Sequence, residues 1–217
     1  MKLIAKLAVA TVAMAAITSA NASTITIQTG FSGAGPQASA EAYRSVVDAA
    51  VAIPGAGYGS TTVSSYDNVS NGSLFGGSNS NIAFKSTIVF GVQAGQTGNW
   101  SFRGGVDFGG GGAVFLDGQA VDFRSNDMWW AGNYGNASQF FQFGANISAG
   151  NHTLTVYGLE GCCDGGQQFQ FNSGSGFQSF NSSTLTPVPE PETYGMMLAG
   201  LGLLGIISRR KVQAKIA

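Results

Sequence analysis

Ala113-Val114-Phe115-Leu116-Asp117-Gly118-Gln119-Ala120-Val121-Asp122-Phe123 is the stretch that decides the fold, because two strand-like runs flank an Asp-Gly pair. The tight turn that matches strand twist needs positive φ at both central residues, and Asp-Gly adopts this at little cost. An antiparallel hairpin is therefore predicted. Outward from it, Ile82, Phe84, Ser86, Ile88 and Phe90 alternate along the chain, as do Trp100 with Phe102, Phe141 with Phe143, Leu154 with Val156, and Phe169 with Phe171. Period-two alternation marks strands with one buried face. One helix is expected over Ala38 to Val51, where Tyr43, Val46, Val47, Ala50 and Val51 share a face and Pro54-Gly55 stops the run. Fifteen Phe and thirty-three Gly, spread through the whole chain, fit short strands and tight turns. The expected fold is mainly β: an antiparallel β-sandwich of jelly-roll or lectin-like type with one short helix, covering residues 23–171.

Both ends follow a different grammar. Lys2 and Lys6 precede an uncharged apolar run from Leu7 to Ile17, and Ala20-Asn21-Ala22 offers the small residues that a signal peptidase requires. Residues 1–22 are therefore expected to form a signal helix that is removed on export. Residues 172–187 are rich in Ser, Gly and Asn and read as a flexible linker. Val188-Pro189-Glu190-Pro191-Glu192 is rigid and extended. An uncharged segment from Tyr194 to Ile207 follows, closed by Ser208-Arg209-Arg210-Lys211. A membrane helix over residues 194–208 with a cytoplasmic basic stop is the expectation, short for a hydrocarbon core of about 30 Å. Gly200-Leu201-Gly202-Leu203-Leu204-Gly205 matches the dinucleotide-binding glycine pattern. With no preceding strand, it is better read as small residues along a membrane helix.

The order of proline–glutamate motif, apolar helix and arginine cluster over residues 188–212 resembles the PEP-CTERM sorting signal, carried here by Val188, Pro189, Glu190, Pro191, Glu192, Arg209 and Arg210. The resemblance implies transient membrane anchoring, recognition by an exosortase and cleavage near the proline–glutamate motif. Transfer to the cell surface or the extracellular space would follow, often in bacteria that make exopolysaccharide.

Without the two tails, four basic residues (Arg44, Lys85, Arg103 and Arg124) face nine acids. A net-acidic, lysine-poor surface excludes nucleic acid as a partner. Six of the nine acids fall between positions 107 and 164: Asp107, Asp117, Asp122, Asp127, Glu160 and Asp164.

From Asn99 to Phe171 the chain runs Trp100-Ser101-Phe102, Asp107 with a glycine run, the Asp117-Gly118 hairpin, then Ala149-Gly150-Asn151-His152-Thr153-Leu154 and Glu160. This series resembles PA14-type and fibro-slime lectin-like sandwiches. Sugar-binding members hold calcium with adjacent aspartates in the acidic loop. Here that loop is Val106-Asp107-Phe108, with one aspartate, which argues against calcium; no cofactor and no metal site are expected.

Gly161-Cys162-Cys163-Asp164-Gly165 places two cysteines side by side. Export to an oxidising compartment favours a Cys162–Cys163 disulfide, although intermolecular pairing stays open. Adjacent Cα atoms lie about 3.8 Å apart across a trans peptide, and the glycines would accommodate the distorted turn. The element resembles the CCxG group of PEP-CTERM proteins. Asp107, Asp117, Trp129, Trp130, Glu160 and Asp164 are the candidate ligand-binding residues, forming with Tyr134 an aromatic and carboxylate cleft suited to a sugar ring. The competing reading gives Asp117 and Asp122 to turn chemistry and solvation and the tryptophans to the core. No nucleophile elbow, phosphate loop or zinc-protease motif occurs, and His152 is the only histidine. No catalytic residue is assigned. The functional expectation is a non-enzymatic surface or matrix protein that binds exopolysaccharide; a purely structural surface protein is the alternative, and a glycoside hydrolase the least favoured.

Overall fold

The computed structural model describes residues 23–182, 198–202 and 204. Residues 1–22, expected to be a signal peptide, and the sorting-motif residues lie outside the described residues. Within the segment expected to be the membrane helix, residues 198–202 and 204 are helical. Among the described residues no helix is long and apolar enough to cross a membrane.

The body is built from β1 (Thr24–Phe31), α1 (Ala40–Val51), β2 (Ser60–Thr62), α2 (Asn71–Phe75), β3 (Ser80–Val92), β4 (Gly98–Gly105), β5 (Asp107–Phe108), β6 (Gly112–Leu116), β7 (Gln119–Arg124), β8 (Met128–Trp129), β9 (Phe140–Ile147), β10 (Gly150–Cys162), β11 (Gln168–Asn172) and β12 (Gln178–Ser179). A six-stranded sheet runs β2-β1-β3-β10-β6-β7, and a four-stranded sheet runs β12-β11-β4-β9. A small ribbon, β5-β8, completes the body. All of these pairings are antiparallel.

The hairpin forms as predicted between β6 and β7, with Asp117 at φ 51 and Gly118 at φ 79. The inward residues of both sheets make the main core: Ile82, Phe84, Ile88 and Phe90 of β3 meet Trp100 and Phe102 of β4, Phe141 of β9, and Phe169 and Phe171 of β11. The outer face of the larger sheet is also covered. Tyr43, Val47 and Val51 of α1 pack on Ala83, Ala113, Phe115, Tyr157 and Leu159. β6 is consequently buried at every position, as expected of a strand covered on both faces.

Helix α1 begins two residues later than its periodicity suggests. Ser39 takes the N-cap and accepts from the Ala42 N–H, satisfying a first-turn donor. A second helix, α2, was not foreseen in its Asn-Gly-Ser-Leu-Phe sequence. Ser70 and Ser73 close it with a capping box, and Gly76 ends it at φ 63.

The linker expected from residue 172 needs correction. β12 pairs with β11, Ser182 donates to the Ser64 carbonyl at 2.8 Å, and Phe180 is wholly buried. Its ring lies 4.7 Å from Phe171 and 5.5 Å from Phe90. One aromatic side chain thus draws a Ser/Gly/Asn tract into the core, and the folded body extends past Phe171 to Ser182.

Candidate ligand-binding site

The site starts from the β5–β8 ribbon. Asp107 stands opposite Trp129 and Phe108 opposite Met128. Successive residues on a strand face opposite ways. Phe108 and Met128 are fully buried, so Asp107 and Trp129 are left side by side on the outer face. The ribbon is pinned by the Trp130 N–H, which donates to the Val106 carbonyl at 3.1 Å, and by the Trp129 N–H, which donates to Gln139 Oε1. Trp129 is 67% exposed.

The end of β10 brings the second carboxylate. Glu160 is buried, and both its oxygens are engaged: Oε2 accepts from the Gly109 N–H and Oε1 from the Cys162 N–H, each at 2.6 Å. Burial pushes its pKa up; the two N–H groups oppose that shift, and the charges of Asp127 and Asp164 add to it. The glycine run between β5 and β6 lies along the end of β10, with the Gly110 N–H donating to the Leu159 carbonyl at 2.8 Å. Gly111 adopts φ 74, and a Cβ there would fall 2.2 Å from the Arg124 carbonyl oxygen. From the helix side, the Tyr43 hydroxyl donates to the Gly110 carbonyl at 2.8 Å.

Cys162 and Cys163 are joined by a disulfide and are exposed, with Cys163 in the left-handed region at φ 73. The loop behind them is tied down by Asp164. Its Oδ1 accepts from the Asn71 N–H at 3.1 Å and its Oδ2 from the Gly72 N–H at 2.7 Å, at the start of α2. Gly165 lets this loop close on Asp107, since a Cβ at that position would lie 2.1 Å from Asp107 Oδ2.

These parts enclose an open cup of about 540 Å³, lined by Asp107, Asp127, Trp129, Glu160 and the Cys162–Cys163 pair, with residues 33–36 and Asn81 at its edge. No Lys, Arg or His lines it. Burial, then the neighbouring charges of Glu160, Asp127 and Asp164, push the Asp107 pKa up to about 7. The cup thus offers hydrogen-bond acceptors, one carboxyl poised near neutrality, an aromatic face and a sulfur face.

Of the residues singled out from sequence, Asp107, Trp129, Glu160, Cys162 and Cys163 converge on the cup. Asp164 sits behind it as a helix cap. Asp117 belongs to the hairpin turn, where Oδ2 lies 2.7 Å from His152 Nδ1 and Oδ1 accepts from the Thr153 N–H at 2.8 Å. Trp130 packs over Gly105 and lies 5.4 Å from Tyr134, away from the cup. Gly33, Ala34, Gly35, Pro36 and Asn81 were not anticipated, and Asp127 was counted only among the clustered acids. The glycine–proline spacing of 33–36 was the available signal for a loop, though not for its destination. The calcium arrangement of the resemblance does not fit. The residues on either side of Asp107, Val106 and Phe108, are both fully buried core residues, so the loop offers a single aspartate. Among the described residues no group of three or more metal-ligating side chains is placed to hold an ion.

The fold is a β-sandwich similar to that of PA14 domains. The PA14 domain of the MpAFP antifreeze protein matches with a TM-score of 0.52 at 12% identity, over 76% of this chain and 91% of that one. The PA14 sugar-binding domain from an RTX adhesin matches with a TM-score of 0.50 at 12% identity, over 76% and 99%. An anti-sigma factor domain-containing protein gives a TM-score of 0.52 at 9% identity, over 80% of this chain and 50% of that one. No curated protein matches the chain in sequence. Residues 187–211 match the PEP-CTERM protein-sorting motif, and Val188, Pro189, Glu190, Pro191, Glu192, Arg209 and Arg210 all fall inside the match. The chain is therefore an exosortase-sorted extracellular protein, anchored transiently at its C-terminus on the way to the surface or beyond.

Proposed function

We propose that the exported body binds carbohydrate at the Asp107–Trp129 cup without turnover, with exopolysaccharide as its partner. In this reading signal peptidase removes residues 1–22, and the helix over residues 194–208 holds the chain in the membrane until exosortase acts near Val188–Glu192. The observation that carries the proposal is the cross-strand pairing of an exposed indole with a half-buried carboxyl at the floor of a cavity. An aromatic face takes the apolar side of a sugar ring, while a few fixed polar groups select its hydroxyls. Glu160 fixes the wall of the cup, one oxygen accepting from the Gly109 N–H and the other from the Cys162 N–H.

The test is a glycan array that includes the host's own polysaccharide, probed with the exported protein and its Trp129→Ala variant. Binding by the wild type and at least a tenfold loss in the variant is the expected outcome. Silence across the array would leave a structural surface protein in its place.

A further inference from the structure

The cup does not end at Trp129. A second cavity of about 380 Å³ adjoins it, lined by Asp127, Trp129, Ala131, Asn133, Asn136 and Gln139. Asp127 and Trp129 are thus shared walls of both cavities. Each volume falls within the roughly 300–1,000 Å³ usual for small-molecule sites. Their linings differ. The first is dominated by carboxyls and the disulfide, the second by side-chain amides and one alanine. Neither is lined by Lys, Arg or His.

The residues that line the second cavity are held by local hydrogen bonds. Asn136 Oδ1 accepts from the Ser138 N–H at 3.2 Å and from the Ser138 hydroxyl at 2.9 Å, Asn133 Oδ1 accepts from the Gly135 N–H at 3.0 Å, and Gln139 Oε1 accepts from the Trp129 N–H. The same Gln139 therefore holds the strand that presents the indole and forms part of the wall of the second cavity. A site made for one terminal sugar needs only the first cavity. A platform exposed between two cavities suits a chain that passes over it.

From this geometry we infer that the site takes an internal stretch of a polysaccharide, with one residue stacked on Trp129 and its neighbours in the two flanking cavities, and that the chain is neutral or amino-bearing. Uronate, sulfate and phosphate groups are disfavoured, since acidic residues and no Lys, Arg or His line the two cavities and a like charge there is repelled. The inference rests on the carbohydrate reading of the same cup and adds internal-chain binding, subsite number and charge class to it.

The experiment titrates the exported protein with oligosaccharide ladders of one to six units: glucose-based, N-acetylglucosamine-based, glucosamine-based, and galacturonate as the anionic comparison. In at least one neutral or amino ladder, affinity is expected to rise at least tenfold from one unit to three, with no binding of galacturonate. Ala131→Leu, at an exposed position that lines the second cavity, should remove most of that gain. Affinity independent of length, or tightest binding to galacturonate, would overturn the inference while leaving carbohydrate binding intact. No binding by any ladder or array member would overturn both.

Discussion

Asp107 and Asp117 lie ten positions apart, both beside strand-like runs and glycine, and the structure gives them opposite lives. Asp117 is consumed locally: one oxygen contacts His152 Nδ1 and the other the Thr153 N–H, and its backbone makes the hairpin turn at φ 51. Asp107 instead faces Glu160, Asp127 and Asp164, and lies half-buried beside an exposed indole with its pKa raised to about 7. A carboxylate surrounded by donors has been assigned to architecture. One surrounded by other carboxylates is poised for a ligand, a pattern that strongly perturbed titrating groups in clefts often follow.

Substitutions sharpen the contrast in order of size. Phe108→Ala removes the buried partner that turns Asp107 outward. It should cost about 3–5 kcal/mol, as ring truncations in a core do, read as a lower midpoint in denaturant unfolding together with loss of glycan binding. Asp117→Ala should cost about 1–2 kcal/mol for its lost hydrogen bonds, with glycan binding intact once the protein is folded. If it weakened binding as much as Trp129→Ala, the division between the two aspartates would fail.

Asp107→Asn should have an effect on stability whose size depends on pH. The folded-state pKa of Asp107 is raised above the unfolded value by burial and by its acidic neighbours, so the folded state binds the proton more tightly. Its contribution is fully present below about pH 4 and is lost as pH rises to about 7. Glu160 and Asp164 shift in the same direction. The asparagine variant should therefore match the wild type near pH 4 and exceed it at pH 8, with a flatter profile between them in thermal unfolding. An unchanged slope would place Asp107 in a more solvated setting than the one described.

Much of the sandwich could be read from alternation, because Ile82 to Phe90 or Leu154 with Val156 repeat long enough to set a period. The Asp117-Gly118 turn was legible because its chemistry is local. The site was legible in its residue types but not in its assembly. β5 and β8 are two residues each, too short for any periodicity, so nothing in the sequence pairs Asp107 with Trp129 or turns Trp130 the other way. The loop at 33–36 reaches the cup through tertiary contact, as does Asn81, whose carbonyl accepts from the Ser32 N–H at 2.8 Å. Phe180 shows the limit of composition: a tract of Ser, Gly and Asn reads as a tether until one ring finds the core.

The central claim is that ligand meets the chain at the ribbon and not at the hairpin. Nitrogen–proton correlation spectra of the exported protein, titrated with an array-positive oligosaccharide, address it directly. The largest shifts should fall on the Trp129 indole N–H and on the backbone N–H groups of Gly109, Cys162 and Cys163, with Asp117, Gly118 and Thr153 unmoved. Shifts centred on Asp117 and His152, with the Trp129 indole still, would contradict the account.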